Sequence, residues 1–149
     1  SISDHTRMLV VNFPHNPTGF LPTQEECQAL IEIVARSGVW LFFDEMYRGL
    51  EHDPAARLPS GCDLYERAIT LGGLSKTHGL PGLRAGWLAL RDTTMRDRIL
   101  GWKDYTTICA SATGPPAISL RPMWLHTRSA ITFRRCLGSP PRFRRPSGG

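Results

Sequence analysis

Lysine is the scarcest charged residue of this 149-residue chain: only Lys76 and Lys103 occur, while arginine is abundant. A lysine-rich solvated face is thereby excluded as the source of the +5 net charge, and each lysine calls for its own account. Acids are missing altogether after Asp104, where seven arginines follow with no lysine among them. The basicity therefore belongs to the C-terminal third. Its stretch "RRCLGSPPRFRRPSGG" has the arginine, proline and glycine richness of a solvated arm, and neither a nucleic-acid nor a membrane partner is expected of it. No apolar run approaches the roughly eighteen residues of a membrane span. Cys27, Cys62, Cys109 and Cys136 are far apart, which excludes a zinc knuckle or redox pair and predicts free thiols. None of the five histidines stands in HExxH or similar spacing, so no metal site is expected. "SISDHTR" lacks the basic start and apolar stretch of a secretory leader. A cytoplasmic chain that begins mid-protein is expected.

What is present is the make-up of a globular α/β protein, with 41% apolar and 21% charged residues. "MLVVN", Met8 to Asn12, predicts a strand that runs into the loop "FPHNPTGF". Thr23 and Glu26 form a capping box, and Leu30, Ile31, Val34 and Ala35 recur at helical spacing until Gly38. "VWLFFDEMY" is apolar on both faces, as a covered strand of a parallel sheet is. Strand, helix and strand make a βαβ unit. A short helix is predicted over Leu64 to Ala68, a third strand at "AITLGG" and a fourth at "LRAGWLAL". The loop between the last two is too short for a helical crossover, so the fourth should run antiparallel to the third. "DTTMRDRILGWKDY" has a helical pattern with Asp92 or Thr93 as its cap.

Asn16 lies just beyond the first strand, Asp44 closes the second, and Lys76 follows the third. In open α/β sheets ligands bind past the carboxyl ends of the strands. One crevice should therefore hold an amide, a carboxylate, an amine and, through the glycine-punctuated loop, Arg84. A lysine desolvated there is disfavoured in its charged form and becomes a nucleophile toward carbonyls. Asp44, behind "WLFF", needs a cationic partner to stay ionised; a protonated pyridine nitrogen would serve. Lys76–Thr77 does not complete a P-loop, because GxxxxGK[ST] needs glycines where Ser75 and Thr70 stand.

"PHNPTG", "DEMY" and "SKTHGLPGLRAGW", in that order and spaced 28 and 32 residues between Asn16, Asp44 and Lys76, resemble the large domain of class I/II aminotransferases, the fold type I enzymes that use pyridoxal 5′-phosphate. The resemblance runs from Met8 to about Ala112. It implies an α/β fold: a partial fold type I large domain with a mostly parallel sheet, one antiparallel strand and flanking helices. By the same resemblance Lys76 holds the cofactor through a Schiff base and shuttles the substrate's α-proton. Asp44 pairs with the pyridinium nitrogen, Asn16 and Tyr47 bond the ring's phenolic oxygen, and Arg84 binds phosphate. Catalytic roles thus fall to Lys76, Asp44 and Tyr47. The implied reaction moves an amino group between an amino acid and a 2-oxo acid, and the implied assembly of full-length relatives is a homodimer.

Two positions depart from the pattern. Gly73 stands where the family commonly has a phosphate-binding serine, with Ser75 close by, and His78 stands where an aromatic is usual. Residues 1–112 are expected to be the partial large domain. Residues 113–149, without helical or strand periodicity, are expected to be a disordered or aberrant arm, as in a frameshifted, misspliced or truncated product. A lyase or decarboxylase using the same cofactor is one alternative, and an inactive, non-enzymatic binding module with a basic arm is another.

Overall fold

A computed structural model describes residues 2–106 and 130–134. β1 (Met8–Asn12) and β2 (Trp40–Asp44) are joined by α1 (Gln24–Ser37). The capping box forms as the sequence predicts: Thr23 Oγ1 accepts from Glu26 N–H at 3.2 Å, and Glu26 accepts from Thr23 N–H at 2.8 Å. Gly38 closes the helix in the left-handed conformation, φ 65°, where a Cβ would be strained. After α2 (Gly61–Leu64) come β3 (Ala68–Gly73), β4 (Ala85–Ala89), α3 (Thr93–Thr106) and β5 (Ala130–Arg134). Asp92 caps α3, its carboxylate accepting from Met95 N–H at 2.8 Å.

The five strands form one sheet in sequence order. β1, β2 and β3 are parallel, β4 is antiparallel to β3, and β5 is parallel to β4. The expected antiparallel fourth strand is therefore present. Register aligns Asn12 with Asp44 and Asp44 with Leu71, which brings the carboxyl ends of the first three strands to one edge.

One face of the sheet is covered by α1. Cys27, Ile31 and Val34 of this amphipathic helix meet Leu41, Phe43 and Ala68, all buried. Removing a side chain of this size from water contributes on the order of 1.5–3 kcal/mol. On the opposite face Ile69 and Leu90 are buried with Met95, Ile99 and Leu100 packed on them. Helices on both faces explain why β2 and β3 carry apolar residues without strict alternation.

Three expectations need correction. The short helix is at Gly61–Leu64, earlier than Leu64 to Ala68: Tyr65 is already extended, and Ala68 starts β3. The segment from Thr113 onward does contain a strand, because Ala130–Arg134 pairs along β4 from Ala85↔Ala130 to Ala89↔Arg134. Ile131, Thr132 and Phe133 suit a strand, but a five-residue run among arginines carries little period. Cys62 is disulfide-bonded, not a free thiol, since spacing reveals close pairs and not tertiary proximity. Cys27 is free and buried. The thiol readings for Cys109 and Cys136, like the remainder of the arm, lie outside the described residues.

Among the described residues, no helix is long and apolar enough to cross a membrane and no cluster of His, Cys, Asp and Glu could hold a metal ion.

Candidate active site

Three loops leave the aligned strand ends and meet at Tyr47. The first, after β1, is anchored at Asn12, whose side-chain amide donates to Asp44 O at 3.2 Å and whose side-chain oxygen accepts from Asn16 N–H at 2.9 Å. Asn16 Nδ2 then donates to the Tyr47 hydroxyl at 2.9 Å. The second loop is the turn after β2. Asp44 Oδ1 accepts from Met46 N–H at 3.0 Å, while Arg48 N–H and Leu50 N–H return to Glu45 O and Tyr47 O. Asp44 is half-buried, and its Oδ2 has no hydrogen bond among the described residues.

The third loop, residues 74–84, carries Lys76. Thr77 Oγ1 donates to Arg48 O at 2.7 Å and lies 3.4 Å from Met46 O. This ties the lysine loop to the tyrosine turn, and Lys76 Nζ comes 5.8 Å from the centroid of the Tyr47 ring, within cation–π range. The loop also closes on itself through Gly79 N–H to Lys76 O and Leu80 N–H to Leu74 O, each 3.0 Å.

Of the six residues singled out from sequence, Asn16, Tyr47 and Lys76 are thus brought into one constellation, with Asp44 at the same sheet edge two residues from Met46. Ser75 is half-buried beside Lys76. Arg84 ends a 3-10 turn in left-handed backbone, φ 48°, where its exposed side chain makes no hydrogen bond or ion pair with the other five among the described residues. Lys76 is exposed as well, and so departs from the desolvated amine expected of it. Loops built of glycine and proline offer few side chains to cover it.

Gly73 has a physical reason. A Cβ there would meet Met46 Cε at 3.0 Å and Sδ at 3.1 Å, so the methionine fills the space that a residue-73 side chain would need. Sequence reasoning passed over Met46, and it passed over Asn12, Thr77 and Glu45 too. An asparagine ending a strand and a threonine beside the lysine carry no motif of their own. Glu45 carried a signal in hindsight, as an acid adjoining Asp44 in a run otherwise apolar.

A family model for aminotransferases of class I and II matches residues 1–120. Capreomycidine synthase of Streptomyces vinaceus is 37% identical over 110 residues, which cover 74% of this chain and 28% of that protein. An aspartate aminotransferase of Musicola paradisiaca is 31% identical over 113 residues, with the same two coverages. Among solved structures, a PLP-dependent aminotransferase from Streptococcus suis superposes with a TM-score of 0.65 at 34% identity, over 72% of this chain and 28% of that one. This chain therefore spans 28% of the length of each of the three.

Proposed function

The chain belongs to the class I and II aminotransferase family, and from that premise we propose that it carries the cofactor-anchoring part of a pyridoxal 5′-phosphate site. The whole protein is proposed to transfer an amino group between an amino acid and a 2-oxo acid, and to work as a homodimer. Family membership supports both statements. The single observation that carries the site is the convergence of Asn16 and Lys76 on Tyr47.

The donor set fits the group. Lys76 Nζ is the amine that would take the cofactor's aldehyde; the chain's other lysine, Lys103, is buried in α3. Asp44 has one carboxylate oxygen fixed by Met46 N–H, which leaves Oδ2 to accept the proton of a pyridinium nitrogen and so keep that ring protonated. Asn16 Nδ2 donates to the Tyr47 oxygen, which leaves the phenol's own hydrogen to donate to a ligand oxygen. Arg84 has a planar fork of donors suited to a phosphate dianion. Ser75, in the third loop, offers a hydroxyl to the same phosphate, where Gly73 at the end of β3 offers none. When bound, the cofactor supplies an electron sink for negative charge at the substrate's α-carbon. Lys76 Nζ would also be the base that takes the substrate's α-proton and returns it.

A second reading, in which the same constellation serves a reaction other than amino transfer, is favoured by the 37% identity to a protein named a synthase.

The test is to trap the cofactor. Pyridoxal 5′-phosphate added to the purified chain and reduced with borohydride should leave its mass on the peptide containing Lys76, and Lys76→Ala should abolish the label. Labelling confined to Lys103, or none at all, would refute the proposal and favour an inactive chain.

A further inference from the structure

Glu45 directly follows Asp44, yet its carboxylate turns away from the strand ends and into the protein. Its side chain is 9% exposed. Its oxygens accept from Ser60 Oγ at 3.0 and 3.2 Å and from Gly61 N–H at 2.8 Å, and Arg48 Nε lies 3.5 Å away. The far side of this clamp is fixed. Gly61 abuts the Phe43 ring so closely that a Cβ would stand 2.6 Å from it, and Cys62 N–H donates to the buried Thr70 Oγ1 at 3.0 Å. Glu45 therefore fastens the 45–50 turn to α2, which is itself fastened to β2 and β3.

Tyr47 stands in that turn, between the Glu45 clamp on one side and the bond from Thr77 Oγ1 to Arg48 O on the other. Its side chain has the Asn16 bond and the Lys76 contact, both to exposed loops that cannot hold it alone. We propose that Glu45 is a positioning residue for Tyr47: its carboxylate, held by Ser60 and Gly61, sets the turn that keeps the phenol in reach of Asn16 and Lys76. Glutamine in its place keeps the size. It puts an NH2 donor where the second carboxylate oxygen takes the 3.2 Å Ser60 bond and faces Arg48 Nε, so that bond and the Arg48 pair are lost. The consequence for ligand binding rests on the cofactor site proposed above; the placement of Tyr47 does not.

The experiment has one arm without ligand and one with it. In the free protein, nuclear Overhauser contacts between the Asn16 side-chain amide and the Tyr47 ring should be present in wild type, lost in Glu45→Gln and weakened in Ser60→Ala. Should Glu45→Gln fail to fold, Ser60→Ala, which removes a single donor, decides. In the second arm, pyridoxal 5′-phosphate is titrated by absorbance, and Glu45→Gln should weaken its affinity about tenfold, the scale of one lost hydrogen bond. Added to Tyr47→Phe, it should weaken affinity no further, whereas a merely structural role would lower both backgrounds alike. Retention of the Asn16–Tyr47 contact in both variants overturns the inference. Absence of cofactor binding in wild type overturns the proposed function instead, and the first arm still decides the role of Glu45.

Discussion

Gly61→Ala should destabilise the protein, although alanine is the better helix former. An ideal Cβ at residue 61 would lie 2.6 Å from Phe43 Cδ2 and 2.7 Å from Cβ and Cγ of the same residue. Carbon pairs sit comfortably at about 3.5–4.0 Å, so roughly 1 Å of movement is required. Phe43 cannot supply it cheaply. It is 1% exposed, and the encroached atoms include its Cβ, the fixed root of the side chain. The edge-on packing of Phe13 at 5.9 Å limits the ring on another side. If α2 moves instead, the bonds from Gly61 N–H to Glu45 and from Cys62 N–H to Thr70 lengthen. Overpacking of this kind costs about 1–3 kcal/mol. The intrinsic gain of alanine over glycine is at most about 1 kcal/mol in a helix interior, and less at the first residue of a four-residue helix. The net loss is about 1–2 kcal/mol, and each kcal/mol is worth about 2–4 °C in Tm for a chain of about 150 residues. Thermal and urea unfolding followed by far-ultraviolet circular dichroism measure it. Gly82→Ala, where a Cβ meets nothing within 4 Å, is the control and should stay within about 0.5 kcal/mol of wild type. Equal or greater stability for Gly61→Ala would refute the packing of α2 on Phe43.

Two further outcomes are expected. Thr77→Val removes the donor to Arg48 O at 2.7 Å, which should cost about 0.5–1.5 kcal/mol and speed amide hydrogen exchange in residues 74–80; unchanged exchange there would show that the lysine loop is held by something else. The second outcome concerns pH. Burial pushes the Glu45 carboxyl above its ordinary value of 4.5, and Asp63 adds to the rise, while the Gly61 N–H, Arg48 and Ser60 oppose it. Cys27, on α1, faces the same carboxylate, and burial and then that charge push its thiol up. A raised folded-state value means that Glu45's contribution to stability is full below pH 4.5 and is lost as pH rises through the raised value. Glu51 runs the other way: burial raises it, but bonds from Gly49 N–H and Arg57 outweigh burial and leave it lowered. Because Glu51 is common to both proteins, the stability of wild type minus that of Glu45→Gln should fall as pH rises above 4.5. A difference that is flat with pH would refute the burial of a charged Glu45.

Local signals carried much of the fold. Thr23, Glu26 and Gly38 marked α1 because capping is chemistry between residues close in sequence. "AITLGG" marked β3, and the short loop after it required an antiparallel return, since direction follows from loop length alone. The misplaced α2 and the missed β5 share one cause. α2 begins at Gly61 because Glu45, sixteen residues back, accepts its first N–H and takes up the Ser60 hydroxyl; Ser60 then makes no side-chain cap of its own. β5 exists through its pairing with β4, forty-five residues away. Neither partner is visible in a local window.

The same division runs through the site. Asn16, Asp44 and Lys76 were legible because each follows a strand, and parallel strands in register deliver their successors to one edge. Delivery to an edge is not yet a constellation. Asn16 meets Tyr47 only because Asn12 binds both the Asn16 N–H and Asp44 O, and Lys76 nears Tyr47 only because Thr77 binds the turn at Arg48. Asn12, Thr77 and Glu45 contact none of the atoms that would meet a ligand. They fix loops relative to strands, and a loop's position depends on such bonds more than on its own composition. Arg84 makes the contrast. It follows the same third loop, but no described side chain ties its guanidinium to the others, and it remains apart from the Asn16–Tyr47–Lys76 group. A phosphate bound between Arg84 and Ser75 would itself have to supply the tie, so occupancy should order residues 80–84 more than residues 44–50, where Glu45 and Thr77 already hold the backbone.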